Sequence, residues 1–549
     1  TERDWSSDVC SSDLHTEQPM DFAFLNAASR SATFPPVDPW LSGYAISYYY
    51  FGYVMTSVLA RLAAVSEPVA YNLGLAWLMA GTAVGAFGIV YNLVVGYGRS
   101  LQKEAGRLAI ALGLMASLAL PIAGNLQIIL EALHGNGRGS AEFWQWLDVR
   151  DINEPPNELS NPRYESSGWW WWRSSRVINE TTLANQAIDE PITEFPGFSF
   201  ILGDMHPHVM ALPFTFLSLA VALMWWLETK ERSDRRPEDD EANTFIAYLQ
   251  SIIPNKPLWA ITVLVLGGLA FLNTWDVLVH LFLVLGAFVL SRWRQFGWRN
   301  QWLTEAFWLA LLLLVPLILL YLPFFLGFRS QAGAPYLLPT LVRPTRLPQF
   351  LIIFGLPLLS IWALVLSLVR LKRWKAGVIT AVSLILGLSV LALLLGLIVA
   401  SSADGAGRIV GLANELGLTL PPRLEGGVAF GWGFTAVFAI LPTLLQAKIA
   451  APGVSLMLAI LIGLVVMVWQ ELLKREKPET QSLTETDDPS PLPLVTPSLD
   501  HPIVPSPLPF VLLLIVTGAL ITLGPEFVYL RDNFGTRMNT MFKFYYQAW

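Results

Sequence analysis

The stretch EFPGFSFILGDMHPHVMALPFTFLSLAVALMWWL, Glu194 to Leu227, decides how the whole chain is read. Its second half, Val209 to Leu227, is an apolar run of about 20 residues, the length that carries an α-helix across a hydrocarbon core. Its first half carries Glu194, Asp204, His206 and His208. A helix bound for the bilayer thus begins directly after two carboxylates and two imidazoles, groups that a bilayer does not tolerate unpaired.

Similar apolar runs recur along nearly the whole sequence. Of 549 residues 54% are hydrophobic and 14% charged, too few charges to coat a soluble protein of this size. The chain therefore reads as all-α: a polytopic integral membrane bundle whose first partner is the lipid bilayer. A net charge of −7 and basic residues confined to short clusters argue against a nucleic-acid partner.

Those clusters set the topology, because Lys and Arg concentrate in cytoplasmic loops. They are Arg99, Lys103 and Arg107; Lys230, Arg232, Arg235 and Arg236; Arg292, Arg294 and Arg299; Arg370, Lys372, Arg373 and Lys375; and Lys474, Arg475 and Lys477. Spans at 68 to 96, 107 to 123, 209 to 227, 257 to 273, 277 to 292, 303 to 326, 347 to 370 and 376 to 400 alternate across these loops. The scheme puts residues 15 to 67 outside, with YAISYYYFGYVMTSVLARLAAV (Tyr44 to Val65) as an amphipathic juxtamembrane helix. Residues 68 to 475 form the bundle, including a long outer loop at 124 to 208. The stretch 425 to 447 reads as interfacial or re-entrant, and 452 to 473 returns inward. The proline-rich linker 476 to 507 is then cytoplasmic, and 508 to 549 supplies an exiting helix and an outer motif.

Residues 1 to 14 stand apart. The run DWSSDVCSSDL, Asp4 to Leu14, resembles the translation of a sequencing adapter and is set aside from the fold, together with Cys10, the only cysteine. The sequence reads as a fragment at both ends.

The scheme gathers unusual polar residues on the outer face: Asp21, Asp38, the WWWWRSSR run from Trp169 to Arg176, Glu194, Asp204, His206, His208, Asn273, Asp276, Arg531, Arg537, Asn539 and Lys543. Carboxylates with imidazoles suit acid/base chemistry, and guanidinium, ammonium and imidazole suit phosphate. Plainer roles stand beside these. Asp204 and Asp276 sit where they would cap helices, Asp38 lies between prolines as in a turn, and the tryptophans fit either an interfacial belt or a stacking platform for sugars. His206 and His208, two apart in an extended stretch, share a face with Asp204 nearby, so a divalent metal on these three residues is open.

The run Tyr48, Tyr49, Tyr50, Phe51, Gly52 resembles the YYYxG signature of the YYY-domain membrane proteins, a family of unknown function. MDFAFLNA, FPPVDPW, ITEFPGFSFILGDMHPHVMALPF, NTWD and RDNFGTRMNTMFKFYYQAW look like that family's blocks in order. The order of outer loop, juxtamembrane helix and spans is also similar to GT-C glycosyltransferases, which use polyprenyl-phosphate sugars. That resemblance implies a GT-C-like bundle with outer-face juxtamembrane helices and a lipid-linked sugar donor. By position it gives Asp21 and Asp204 acidic roles, although the paired acidic motifs of that group are absent. The expectation is transfer of a sugar to an acceptor, with Asp21, Asp204 or Glu194 as base. The leaving phosphate would be met by His206, His208, Arg176, Arg537, Asn539 and Lys543, with Tyr48, Tyr49 and Tyr50 lining the substrate's entry. The alternatives are a transporter or flippase for a lipid-linked or anionic substrate, which should bind near mid-span, and a non-catalytic membrane protein.

Overall fold

The computed structural model describes residues 17–150, 152–155, 170–188, 190–228, 245–253, 255–329, 336–420, 429–475, 505–532 and 535–549. The adapter-like run, Trp169, Lys230, Arg232, Arg235, Arg236, Lys477 and most of the 476 to 507 linker lie outside these residues.

Two short helices open the chain, α1 (Gln18–Arg30) and α2 (Phe51–Leu62). Long helices follow: α3 (Glu67–Ser100), α4 (Gly106–Ile122), then the short α5 (Pro196–Leu202), α6 (Pro207–Leu227), α7 (Lys256–Leu272), α8 (Thr274–Phe296) and α9 (Gln301–Leu320). The second half holds α10 (Leu347–Leu368), α11 (Trp374–Ala400), α12 (Ala403–Glu415), α13 (Ala429–Ala450), α14 (Gly453–Arg475), α15 (Leu508–Leu523) and α16 (Met538–Ala548). Among the described residues nine helices are long and apolar enough to cross a membrane. The apolar α7 is shorter, and α4 is bent by 58° against the short helix Gln127–Gly135 that follows it in the chain. The protein is a multi-pass, all-α membrane bundle, because only a helix satisfies its own backbone polar groups within hydrocarbon. The one two-stranded ladder among the described residues, antiparallel, pairs β1 (Leu337–Pro339) with β2 (Val528–Leu530), Leu338 opposite Tyr529.

Two groups of helices share α15 as a wall. On one side α6, α7, α8 and α9 bury Val221, Trp225, Leu266, Val284 and Leu309 against Phe510 and Leu513. On the other, α10 and α14 bury Phe350, Phe354, Leu458 and Val465 against Leu512 and Leu523. Where α11 meets α14 the backbones nearly touch, since a Cβ on Gly463 would stand 2.4 Å from the carbonyl of Gly377. Only glycine permits that approach.

Contacts between chain segments sort the helix ends. At one end Trp226 donates to the Ser506 carbonyl (3.2 Å), Ser291 to the Glu228 carbonyl (3.0 Å), and Arg373 to Gln470 (3.1 Å). This is the basic end. At the opposite end Tyr53 reaches Asp21, Arg346 reaches Asp148, and Lys448 donates to the Glu526 carbonyl at 2.7 Å. α13 is long and apolar enough to span. Yet Gly433 packs on Ala400, the far end of α11, while Lys448 meets Glu526. Both ends of α13 thus face the non-basic end, so the helix lies across the bundle instead of through it.

Three local readings change. The helix expected over 44 to 65 begins only at Phe51, because Tyr49 and Tyr50 turn into an aromatic cluster with Phe271, Phe324 and Phe328 and hold the backbone before it irregular. The span expected over 303 to 326 stops at Leu320 and restarts as a separate turn of helix at Leu322, with proline in the first turn of the new piece. Asp204 does not cap α6: His206 holds the cap position. Asp38 does make a turn, its Oδ1 accepting from the backbone N–H groups of Trp40 and Leu41 at 2.8 and 2.9 Å.

Candidate functional site

At the non-basic end the turn between α5 and α6 is held from three directions. Gly203, at φ +76°, ends α5 in the left-handed conformation that glycine adopts without strain. Gln18 donates to the Leu202 carbonyl at 2.7 Å, and Tyr71 Oη accepts from the Met205 N–H at 3.1 Å. Pro207 then starts α6. The result fixes Asp204, His206 and His208 at the mouth of a membrane helix.

His206 and His208 form the centre. His206 Nε2 lies 2.9 Å from Glu17 Oε2 and 2.9 Å from Tyr48 Oη, and its Nδ1 faces Nδ1 of His208. His208 Nε2 stands 3.5 Å from both Glu194 Oε2 and Ser199 Oγ, with the rings of Phe542 and Tyr546 edge-on against the imidazole at 4.8 and 4.5 Å. Two imidazoles meeting Nδ1 to Nδ1 hydrogen-bond when one of the two nitrogens carries a proton and the other does not, and a carboxylate stands at each outer nitrogen. The row Glu17, His206, His208, Glu194 is a path along which a proton can pass.

Asp21 joins from α1. It is fully buried, and Tyr53 Oη donates to its Oδ1 at 2.5 Å, while Oδ2 has no hydrogen-bond partner among the described residues. Burial pushes its carboxyl up to about 7, against the pull of His206 and Tyr53, and the nearby charges of Glu17 and Asp204 add to the rise. His206 beside Glu17 holds that half-exposed carboxyl down at about 2. Burial works against charge on His206, but Glu17 outweighs it and its pKa ends above the ordinary value. Burial also raises Glu194, with Arg176 opposing.

Lys543 enters from α16. Burial lowers its pKa to about 8, and Asp276 and Glu17 pull the other way. Asp276 is itself buried at the start of α8, its Oδ1 accepting from Asn273 Nδ2 at 2.8 Å. Next to His208, whose ring packs on Tyr546, lies a cavity of about 220 Å³ between α6, α8, α15 and α16, lined mainly by apolar side chains such as Leu212, Phe216, Val279 and Leu514, with His280 and Gln547 among them. A polar cluster thus adjoins a mostly apolar chamber.

The structure brings Asp21, Asp204, Glu194, His206, His208, Tyr48 and Lys543 into one neighbourhood. Arg176 lies over the Trp172 ring at 4.8 Å, near enough to Glu194 to act on its charge. Trp171 and Trp172 pack on Phe198 of α5 at 5.1 and 5.6 Å and hold this loop down. Asn539 is half-buried one turn before Lys543 on the same helix. Tyr49 and Tyr50 belong to the aromatic cluster. Arg537 has other partners: it is ion-paired with Glu180 and with Glu526 (2.9 Å), both buried. Among the described residues no group of three or more His, Cys, Asp and Glu side chains is arranged to hold a metal ion.

Sequence reasoning passed over Glu17, Tyr71 and Ser199, and gave Tyr53 no part beyond lining the entry with the other aromatic residues of 48 to 53. Glu17 borders the adapter-like run, and Tyr53 falls three residues after the tyrosine triplet without its own signature. A family model described as "Uncharacterized membrane protein (DUF2298)" matches residues 8–549. The match begins within the stretch set aside above. No curated protein matches the chain, and no solved structure matches it.

Proposed function

The chain belongs to this family of membrane proteins, and we propose that it is a transferase of the GT-C kind, moving a sugar from a polyprenyl-phosphate donor to an acceptor hydroxyl at the outer membrane face. One observation carries the reading. Asp21 is a buried carboxylate with one oxygen held by Tyr53 and the other without a hydrogen-bond partner among the described residues, close to His206, whose neighbour His208 packs on the Tyr546 that lines a mostly apolar chamber. Oδ2 takes the proton of the acceptor O–H, the acceptor oxygen forms a bond to the anomeric carbon, and the bond from that carbon to the phosphate oxygen breaks. The electron pair leaves with the lipid phosphate. Lys543 and, when protonated, His206 would supply the cations that this new charge calls for. The lipid chain next to the phosphate occupies the apolar cavity. The YYY motif contributes Tyr48, which orients His206, while its neighbours build the wall behind it.

The test is to incubate the purified chain with radiolabelled polyprenyl-phosphate sugars. Wild-type protein turns over at least one donor, and Asp21→Asn loses about 10²- to 10⁴-fold in rate, the usual contribution of a positioned base. Absence of turnover with every donor, together with uptake of a substrate into vesicles, makes the protein a transporter and overturns the proposal.

A further inference from the structure

A second polar cavity, of about 400 Å³, opens at the same end of the bundle, lined among others by Asp148, Asn179, Glu180, Arg343, Arg346 and Arg537. It is distinct from the histidine cluster, although α16 touches both: Arg537 occupies the position just before the first turn and Lys543 lies six residues on, about 9 Å along the axis. Its size falls within the roughly 300–1,000 Å³ of small-molecule pockets.

The lining alternates donors and acceptors that are already fixed in place. Arg346 Nη1 meets Asp148 Oδ2 at 2.8 Å, and Asn179 Nδ2 meets Asp148 Oδ1 at 3.0 Å. Arg537 holds one oxygen of Glu180. The other, Oε2, is buried without a hydrogen-bond partner among the described residues, on a side chain only 2% exposed. A buried carboxylate oxygen with no donor is costly and points to a donor from outside the chain. At the rim the exposed side chains of Arg343 and Asn185 make no hydrogen bond among the described residues.

We propose that this cavity is a saccharide-binding site. A bare anion entering it meets Asp148 and Glu180, and a bare cation meets three arginines. Vicinal hydroxyls escape both conflicts, because each donates to a carboxylate and accepts from a guanidinium or amide at once. The inference does not rest on the transferase reading, because binding is measured without turnover.

The experiment titrates the full chain, in lipid nanodiscs, with the methyl pyranosides of glucose, galactose and mannose, and with inorganic phosphate. At least one glycoside binds saturably, and its Kd rises at least tenfold in Glu180→Gln. Because Glu180 also pairs with Arg537, Ala450→Trp serves as the second variant: it fills the cavity from an exposed position and raises Kd by at least the same factor in a monodisperse protein. The inference is overturned by no saturable binding of any glycoside, by binding unchanged in Ala450→Trp, or by phosphate binding tighter than every glycoside.

Discussion

Replacing Tyr53 by Phe removes one hydroxyl from the site: the Oη–H that donates to Asp21 Oδ1 at 2.5 Å. A hydrogen bond to a charged group contributes about 1.5–3 kcal/mol. One pKa unit corresponds to about 1.4 kcal/mol, so the Asp21 carboxyl rises by about one to two units. The sign follows because the lost bond favoured the ionised form. From its starting value of about 7, the fraction ionised at pH 7 falls from about one half to between about one tenth and one hundredth. Transfer with Tyr53→Phe at pH 7 therefore drops about 5- to 50-fold and recovers as pH is raised. The assay is a pH–rate profile of kcat/KM with a labelled lipid-phosphate sugar. The rising limb, set by the base, moves to higher pH in the variant. A limb that stays in place while the rate falls refutes Asp21 as the base.

Three further outcomes follow from the structure. Arg537→Met leaves Glu180 and Glu526 buried without their cation, and stability in detergent falls by about 3–5 kcal/mol, read as a lowered thermal midpoint. Gly463→Leu forces side-chain atoms into the Gly377 backbone and costs about 1–3 kcal/mol or more, whereas the same change at Gly407, which faces open space, leaves the midpoint in place. Glu17 is held down at about 2, below the ordinary glutamate value of 4.5, so between those values the unfolded chain binds more protons and stability declines as pH falls. In Glu17→Gln that part of the acid decline disappears.

The bundle was legible because length and hydrophobicity are local properties of the sequence. Val209 to Leu227 must be a helix once it is in hydrocarbon, whatever its neighbours do, and the ends of α3, α4, α6, α7, α10, α11 and α14 fall within a few residues of the expected bounds, apart from the inner end of α3. The convergence of Asp21, Asp204 and His208 followed from topology alone, since charges placed on one face of a compact bundle have few places to go. Partner choice was not legible. Nothing near Arg537 in the chain announces Glu180, 357 residues away, and Arg537 in a basic aromatic motif looks free until the fold closes over it. The start of α2 was misjudged for a related reason: tyrosines tolerate a helix, and only their tertiary contacts with Phe271, Phe324 and Phe328 hold Tyr49 and Tyr50 outside it.

The central claim is that residues distant in sequence meet at one pocket mouth on the outer side. In a Cys10→Ser background, Glu17→Cys and His206→Cys are placed where the native side chains stand 2.9 Å apart, and a short membrane-impermeant bifunctional thiol reagent is added outside sealed vesicles. The account predicts an intramolecular cross-link between the two. Single labelling of each cysteine from opposite faces of the membrane, with no cross-link, would contradict it.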